Sequence, residues 1–303
     1  MSIRPVKTNS QAVPAMEGAG VHLHRAFGFS DPTMLDPFLM MDDFRNDDPA
    51  QYERGFPWHP HRGIETITYV LKGEVEHGDS LGNTGTLKDG AVQWMTAGSG
   101  ILHQEMPKGN AQGQMHGFQL WANLPGSLKM TAPRYQDVEG KEIPEIIDDD
   151  GTKVRVVIGE FWGKKGPVDG IAADPQFLDI SVPAGVRKTF KVDTYRRAFA
   201  YVFEGAGSFR DASQPTGVLL EKEVQGEEVN IRDLSGNRTL VQFGTGDEVT
   251  VQAGEEGIRF LLISGAPIEE PVAWHGPIVM NTQEELMQAM RELRNNTFIK
   301  PAH

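Results

Sequence analysis

The 303-residue sequence contains no cysteine. Disulfide bonds, thiolate metal sites, iron–sulfur clusters and cysteine nucleophiles are therefore excluded, and any metal ion must be held by nitrogen and oxygen ligands. The sequence also lacks an apolar run approaching the roughly 20 residues that a membrane-spanning helix needs, and its start, MSIRPVKTNS, lacks the apolar core of a secretion signal. We therefore expect a cytoplasmic protein.

Positive charge is scarce as well. The chain has 29 basic against 42 acidic residues and a net charge of −13, which disfavours direct binding to nucleic acid or to anionic lipid surfaces. It has no GxGxxG or GxxxxGK loop, so nothing indicates a nucleotide-phosphate site. What it does have is 34 glycines and 19 prolines between short apolar runs, a composition that favours β structure.

Strand-length apolar runs recur along the chain and are bounded by glycine, proline or charged residues. Their spacing, about 10 to 20 residues with turns between them, predicts an all-β fold made of sandwiches or small barrels. The predicted strands are residues 66–71, 91–95, 118–122, 154–158, 177–182, 198–203, 248–252 and 260–264.

One helix is predicted near the end of the chain. Thr282 and Glu285 form a capping-box pattern. Apolar residues follow at helical spacing: Leu286, Met287, Met290 and Leu293. We expect a helix over residues 282–295 that docks its apolar stripe on the sheets.

The sequence contains an internal repeat. Short segments of the first half are echoed in the same order in the second half, which predicts two related β domains. The paired segments are 69–74 with 201–206, 96–98 with 252–254, and 118–121 with 260–263. An acidic stretch interrupted by proline separates them. We therefore expect an N-terminal metal-binding domain over residues 1–136, a linker region over 137–151, and a C-terminal domain over 152–303 without metal ligands.

Two closely spaced pairs of side chains point to a metal site. His59 and His61 lie two residues apart, as do His103 and Glu105, and in an extended segment alternate side chains share a face. Three imidazoles with one carboxylate suit iron, copper, nickel, manganese or zinc, and an octahedral ion would keep two positions open for substrate or water. Glu65 has the same alternation parity as His61, so parity leaves the choice of carboxylate open.

The internal repeat tests whether the fold itself requires these histidines. Aligning the echoes by a shift of 132 residues places Lys191, Asp193 and Arg197 opposite His59, His61 and Glu65. The segment that carries His103 in the first copy also has a shorter counterpart in the second copy, and that counterpart contains no histidine. Because the second domain does without these ligands, we interpret the first set as functional.

His22 and His24 also lie two residues apart, but no histidine–carboxylate pair lies near them. His116 precedes a predicted strand and either lines the pocket or is a structural histidine, the favoured interpretation. The others have no supporting pattern: His77, His275 and His303.

These residues resemble a known family. Histidines followed by Glu65 and Gly73, with a second glycine-led motif ending in His103, are similar to a cupin barrel. More specific motifs resemble pirin and the pirin-like proteins: DPFLMMDDF at 36–44, HPHRGIETITYVLKGEVEH at 59–77, GSGILHQEMP at 98–107 and GFQLWANLP at 117–125. The second half agrees in length and in its repeat.

The resemblance implies two tandem cupin barrels with a C-terminal α-helix and with metal only in the N-terminal barrel. The ligands would be His59, His61, His103 and Glu105, with Glu105 rather than Glu65 as the carboxylate and as the catalytic base. The cofactor would be one divalent ion, typically Fe(II), with Cu, Ni, Co, Mn and Zn as alternatives. We expect Trp121, Phe118 and Met106 either to pack in the barrel core, which is the favoured interpretation, or to form apolar walls of the site.

The resemblance also implies a function, and other functions remain open. Several family members resemble quercetin 2,3-dioxygenases, so we expect a flavonol-like aromatic substrate and dioxygen. A mammalian relative is described as an iron-dependent transcriptional coregulator, which would make the chain a binding module with a protein partner. Another cupin activity on a small molecule is the third hypothesis, because fold and ligand set do not specify the substrate.

Overall fold

The computed structural model describes residues 2–168, 172–209, 221–224, 227–230 and 234–300. In these ranges the chain forms 25 β-strands and one α-helix, with three short 3₁₀ turns at Pro49–Gln51, Gly126–Leu128 and Gly140–Glu142. The expected all-β class with a C-terminal helix is confirmed. None of the helices in these ranges has the length and apolar character of a membrane span.

The first of two compact units comprises Ala12–Ile143, Pro167–Asp174 and Pro267–His303, and we call it the histidine unit. One antiparallel sheet has seven strands in the order β12-β9-β6-β11-β4-β3-β2, a second has four in the order β5-β10-β7-β8, and β24 and β25 form a hairpin. The strands of this unit are β2 Val13–Glu17, β3 Val21–Phe27, β4 Phe38–Asp43, β5 Phe56–His61, β6 Ile64–Lys72, β7 Glu74–Asp79, β8 Thr84–Leu87, β9 Val92–Thr96, β10 Ile101–Lys108, β11 His116–Asn123, β12 Arg134–Val138, β24 Ala273–His275 and β25 Ile278–Met280.

The second unit comprises Met1–Gln11, Pro144–Gly166 and Pro175–Ala266. Its main sheet has the order β1-β22-β19-β23-β17-β14-β13, with β18 paired to β23, and two further strand pairs are β15-β16 and β20-β21. The strands are β1 Val6–Gln11, β13 Glu145–Ile147, β14 Lys153–Ile158, β15 Glu160–Phe161, β16 Lys164–Lys165, β17 Gln176–Val182, β18 Arg187–Lys191, β19 Arg197–Ser208, β20 Glu221–Val224, β21 Glu227–Asn230, β22 Thr239–Phe243 and β23 Glu248–Gly265. A large buried apolar cluster that includes Val156, Leu178, Phe190, Val241 and Phe260 fills this unit.

The two units exchange the ends of the chain, which the sequence boundaries did not anticipate. The crossing near Ile143 lies inside the predicted linker, but Met1–Gln11 belongs to the second unit and Pro267–His303 to the histidine unit. The cause is strand pairing: β1 adds to the edge of the main sheet of the second unit beside β22. Such a pairing joins segments more than 200 residues apart, and local composition carries no signal for it.

One expectation about strands is wrong. Residues 248–252 and 260–264 are not two strands but parts of the continuous β23. Gly257 lies within it at φ +79°, a backbone conformation that glycine adopts without a steric penalty. The pairing of β23 with β19 shifts register near Gly257. This region is therefore an irregularity in a continuous ladder rather than a turn between two strands.

The structure contains the repeat, but the predicted pairing of residues 96–98 with 252–254 is wrong. In the histidine unit β6 lies between β9 and β11, and in the second unit β19 lies between β22 and β23. The counterpart of β9 is therefore β22, not the segment around Gln252, which pairs with β18 just as β10 pairs with β5. On this ladder Thr189 lies opposite Thr250, whereas the adjacent pair Phe190 and Val249 belongs to the buried apolar cluster of the unit. The hydroxyl oxygens of these two threonines are hydrogen-bonded at 2.9 Å.

The predicted helix is confirmed as α1, Gln283–Arg294. Thr282 is its N-cap, and Glu285 completes the capping box through reciprocal hydrogen bonds. Leu286 and Ala289 are buried on its inner face, whereas Met287 is 51% exposed. The apolar stripe is therefore narrower than expected and excludes Met287.

Candidate metal centre

Two neighbouring antiparallel strands bring the predicted ligands together. β5 carries His59 and His61, β10 carries His103 and Glu105, and the ladder places His103 directly opposite His59. Along β10 the odd-numbered positions from 101 to 107 are buried and the even-numbered ones are less so, as alternation requires. β5 lies at the edge of its sheet, where Pro60 can be accommodated without a donor to the ladder.

The three histidines converge on one point. His59 Nε2 lies 3.0 Å from His61 Nε2 and 2.9 Å from His103 Nε2. Two nitrogens bound to one ion at typical lengths of about 2.0–2.1 Å and at right angles are about 3.0 Å apart. The imidazoles therefore have the separations of adjacent ligands around one metal ion, and they form a potential metal-binding group among the described residues.

The protonation of these imidazoles suits metal binding. His59 Nδ1 lies 2.9 Å from the Pro57 carbonyl oxygen, which can only accept, so Nδ1 donates and Nε2 is the nitrogen that faces the other two imidazoles. Burial, followed by the charge of neighbouring imidazoles, lowers the pKa of His61 and of His103 well below the usual histidine value. Neutral imidazole is the form that binds metals.

Glu105 lies beside this group without being part of it in the structure. Its Oε2 atom is 4.0 Å from His103 Nε2, and its Oε1 atom accepts a hydrogen bond from Thr68 Oγ1 at 3.1 Å. Burial raises the pKa of the Glu105 carboxyl above its ordinary value. A carboxyl in this position can complete a metal site or exchange a proton with a ligand in the cavity.

Glu65 occupies a different environment. It is buried in β6 opposite Thr96 of β9, and Thr96 Oγ1 donates a 2.7 Å hydrogen bond to Glu65 Oε1. Burial raises the pKa of Glu65 to about 7. Glu65 is neither in the group of converging imidazoles nor among the described residues that line the adjacent cavity.

A cavity of about 370 Å³ opens onto the histidines. This volume is in the range of pockets that enclose drug-sized ligands, about 300–1,000 Å³. His59, His61 and Glu105 line it, and most of the rest of the wall is apolar, including Phe29, Phe44, Phe56, Met40 and Trp121. The Trp121 ring stands edge-on to the His61 ring with centroids 5.1 Å apart.

Of the three candidate wall residues, one lines the cavity. Trp121 does, whereas Phe118 is buried against Tyr69 and His116, and Met106 is not among the described lining residues. The reason is strand parity: Met106 alternates with Glu105 and so faces away from the histidines. The neighbouring Pro107 faces the cavity instead.

A polar row on the opposite sheet was missed from the sequence. Thr68, Gln119, Asp42 and Arg25 are successive cross-strand neighbours, and all four line the cavity. Thr68 Oγ1 lies 2.9 Å from Gln119 Oε1, and Arg25 makes two 2.8 Å hydrogen bonds to the Asp42 carboxylate. Asp42 lies in the motif DPFLMMDDF, but only the register across four strands reveals the row.

The other histidines lie outside the group of converging imidazoles. His77 is buried, stacks on Tyr135 and places Nε2 3.2 Å from Asp137 Oδ2. His116 packs edge-on against Phe118. His303 is outside the described residues.

Comparison with known proteins gives the family. The family model "Pirin" matches residues 20–122, and the model "Pirin C-terminal cupin domain" matches residues 177–299. A pirin-like protein of Caulobacter vibrioides is 43% identical over 299 residues, which cover 98% of this chain and 100% of that protein. The chain belongs to the pirin family. The tandem-cupin fold expected from the sequence is confirmed.

Other pirin-family relatives carry names that refer to an activity. A protein of Pseudomonas aeruginosa with a provisional quercetin 2,3-dioxygenase name is 40% identical over 286 residues, 93% of each chain. Among solved structures, a quercetin 2,3-dioxygenase from Acinetobacter baumannii matches with a TM-score of 0.82 at 31% identity, covering 98% of this chain and 99% of that one. The pirin fold of this chain therefore also occurs in a protein named as a dioxygenase.

Proposed function

We propose that this pirin-family protein is a metal-dependent dioxygenase that opens the ring of quercetin or a related flavonol. The observation that carries the proposal is the convergence of three imidazole nitrogens, separated by 2.9 and 3.0 Å where adjacent, at the edge of a largely apolar cavity of about 370 Å³. The relatives named for quercetin 2,3-dioxygenase activity support the choice of substrate.

The donor set fits one divalent ion, which we propose to be Fe(II). His59, His61 and His103 would bind it through Nε2, and Glu105 would rotate its carboxylate toward it as the fourth ligand. Three nitrogen donors and one oxygen donor also accept Cu, Ni, Co, Mn or Zn. When bound, the ion supplies positive charge that favours the deprotonated substrate hydroxyl and a site where dioxygen chemistry can proceed.

Glu105 is the proposed base. Its raised pKa, caused by burial, makes the carboxylate a better proton acceptor than an exposed glutamate. The Thr68 hydroxyl holds Oε1, so Oε2 is the atom on the side of the histidines. Glu105 would therefore accept the proton of the flavonol hydroxyl as the substrate becomes an anion.

The remaining walls favour a flat, mainly apolar substrate over a small carboxylate. The aromatic rings of Phe29, Phe44, Phe56 and Trp121 exclude water from the reacting region. The cationic wall residue Arg25 is already engaged by the Asp42 carboxylate, and Glu17 Oε1 lies 2.9 Å from its Nη2. A substrate anion would therefore be stabilised at the metal rather than at this guanidinium.

The reaction is balanced without another reactant. One flavonol and one dioxygen yield one depside and one carbon monoxide, with both oxygen atoms of dioxygen retained in the depside. Two carbon–carbon bonds of the central ring break, and no external reductant is consumed. The protein's part is to orient the substrate, accept its hydroxyl proton and keep water out.

The test is metal analysis of the purified protein followed by incubation with quercetin in the presence and absence of oxygen. We expect quercetin loss and carbon monoxide release only with oxygen and only in metal-loaded protein. The matched control is His59→Ala, which removes one proposed ligand and leaves every apolar wall residue unchanged. A fully loaded protein that leaves quercetin unchanged in oxygen would refute the proposal.

A further inference from the structure

A segment near the C-terminus contacts the backbone directly after His61. We call residues 276–298, which lie in the histidine unit, the C-terminal clamp. Arg62, which follows His61 directly, forms a parallel bridge with Ile278, and its carbonyl accepts a 3.0 Å hydrogen bond from Val279 N. A Cβ atom on the next residue, Gly63, would collide with the Val279 carbonyl oxygen. The clamp and the ligand strand are therefore in direct backbone contact.

The side chain of Arg62 also contacts the C-terminal clamp. It is only 2% exposed. Its Nη1 atom donates to Glu292 Oε2 of α1 at 2.8 Å, and its Nη2 atom donates to the Phe298 carbonyl at 2.7 Å. The guanidinium also lies over the Phe298 ring, 4.1 Å from its centroid. Both arms of the guanidinium and one of its faces are thus engaged by the clamp.

The clamp also contacts the second ligand strand. Gly100 lies directly before Ile101, the residue opposite His61, and three residues before His103. A Cβ atom at Gly100 would lie 3.0 Å from the Phe298 ring. Phe298 therefore packs against Arg62, next to one ligand strand, and against Gly100, next to the other.

The geometry gives the clamp a role in metal binding. Successive side chains of a strand point to opposite faces, so anchoring Arg62 on the outer face fixes the rotation of the strand that carries His61. An imidazole must be held in a narrow orientation to bind a metal, and groups that only orient ligands typically change metal affinity by about 10–100-fold. The clamp is placed to supply this orientation.

We propose that Arg62, held by Glu292 and Phe298, is a positioning residue for the metal centre, so that metal affinity depends on the C-terminal clamp. The proposal rests on the proposed metal role of the histidines but not on the identity of the substrate. Neither Arg62 nor Glu292 belongs to the group of converging imidazoles, so each would act through the placement of His61 and His103.

The test compares Glu292→Ala with Glu284→Ala, which removes an exposed glutamate from the same helix. Cobalt(II) is titrated into each metal-free protein in competition with a chelator, and the visible spectrum of the bound cobalt is recorded. We expect Glu292→Ala to weaken cobalt binding about 10–100-fold and to alter the spectrum, because the imidazoles are displaced. Glu284→Ala should bind as the parent does.

A second pair of variants separates positioning from simple loss of stability. Arg62→Lys retains the charge but cannot make both hydrogen bonds, and Phe298→Leu retains the backbone carbonyl while removing the ring. Both should also weaken cobalt binding at a temperature where circular dichroism shows each protein folded. Phe298→Leu should weaken it less than Glu292→Ala, because it keeps both hydrogen bonds of Arg62. Unchanged affinity and spectrum in Glu292→Ala, even with a lowered melting temperature, would overturn the positioning role. Failure of the parent to bind cobalt would overturn the metal role of the histidines and this proposal with it, whatever quercetin turnover shows.

Discussion

A single hydrogen bond prepares His59 for its proposed role. Because Nδ1–H of His59 donates a hydrogen bond to the Pro57 carbonyl, Nε2 is the nitrogen that faces the other two imidazoles. Burial then keeps His61 and His103 neutral by lowering the pKa of each. At the residue scale, the candidate metal centre depends on which imidazole nitrogen carries a proton and on which carboxylate faces the cavity.

The choice of carboxylate can be tested with three single variants. His59→Ala and Glu105→Ala should each weaken metal retention by at least about tenfold, because each removes a proposed ligand. Glu65→Gln should retain metal, since Glu65 is bonded to Thr96 away from the histidines. Metal content after dialysis against a chelator is the measurement, and loss of metal in Glu65→Gln with retention in Glu105→Ala would contradict the assignment.

Glu65 should instead affect the pH dependence of stability. Burial raises its pKa in the folded protein from 4.5 to about 7, so the folded state binds this proton more tightly than the unfolded state. Its contribution is present in full below about pH 4.5 and is lost as the pH rises to about 7. One pKa unit corresponds to about 1.4 kcal/mol, so the free energy of unfolding of the metal-free protein should fall by at most about 3 kcal/mol over this interval.

Glu65→Gln should remove this dependence. Urea unfolding at several pH values is the measurement, with Glu53→Gln, an exposed change in the same unit, as the control. Parallel pH profiles for Glu65→Gln and the parent would show that the Glu65 carboxyl is not the responsible group.

At the scale of elements, strand pairing explains both the site and the failures of expectation. Alternation along β10 sends Glu105 and Pro107 inward and Met106 outward. Register across β6, β11, β4 and β3 assembles the polar row opposite the histidines. Alternation within a strand can be read from sequence, whereas the register between strands depends on packing and cannot.

Lys129 connects three elements of the histidine unit. Its ammonium group donates to the carbonyls of Gly63 and Val279 and to Asn123 Oδ1, at 2.9, 3.0 and 2.7 Å. These acceptors lie beside β6, in β25 and at the end of β11. Lys129 is only 1% exposed, and this burial lowers its pKa to about 7.

Replacing this lysine should loosen all three elements. Lys129→Met leaves three acceptors without their donor. We expect the free energy of unfolding to fall by about 2–4 kcal/mol. Each buried unpaired polar group costs roughly 1–3 kcal/mol, and removal of the buried charge offsets part of the sum. The control Lys72→Met changes an exposed residue at the end of β6 and should remain within about 0.5 kcal/mol of the parent. Equal stability of the two variants, measured by urea unfolding, would refute this role.

At the scale of the whole molecule, the two copies of the repeat share a strand order but differ in the side chains that the corresponding strands carry. The ladder of β5 and β10 carries His59 and His103 in one unit, whereas the ladder of β18 and β23 in the other carries Phe190 and Val249, which belong to a buried apolar cluster. The second unit is filled by its own buried apolar cluster. The same framework therefore supports a candidate metal site in one copy and a packed core in the other.

Metal should stabilise the molecule by mass action. A ligand that binds only the folded state adds about 4 kcal/mol when its free concentration is about 1,000 times its dissociation constant. We expect added cobalt(II) to raise the melting temperature of the metal-free protein and a chelator to reverse the shift. His59→Ala should show no such rise, and an equal rise in that variant would place the stabilising metal elsewhere.

The sequence by itself determined the β class, the capped helix at Thr282, the convergence of His59, His61 and His103, and the family. These features follow from alternation, capping and short motifs, which act over a few residues. Only the tertiary structure decided the surroundings of Glu65 and Glu105, the cavity wall formed by Thr68 and Gln119, the exchange of chain ends and the clamp on Arg62. Each of these joins residues far apart in the chain, and contacts of that kind are selected by the packing of whole sheets rather than by any local pattern.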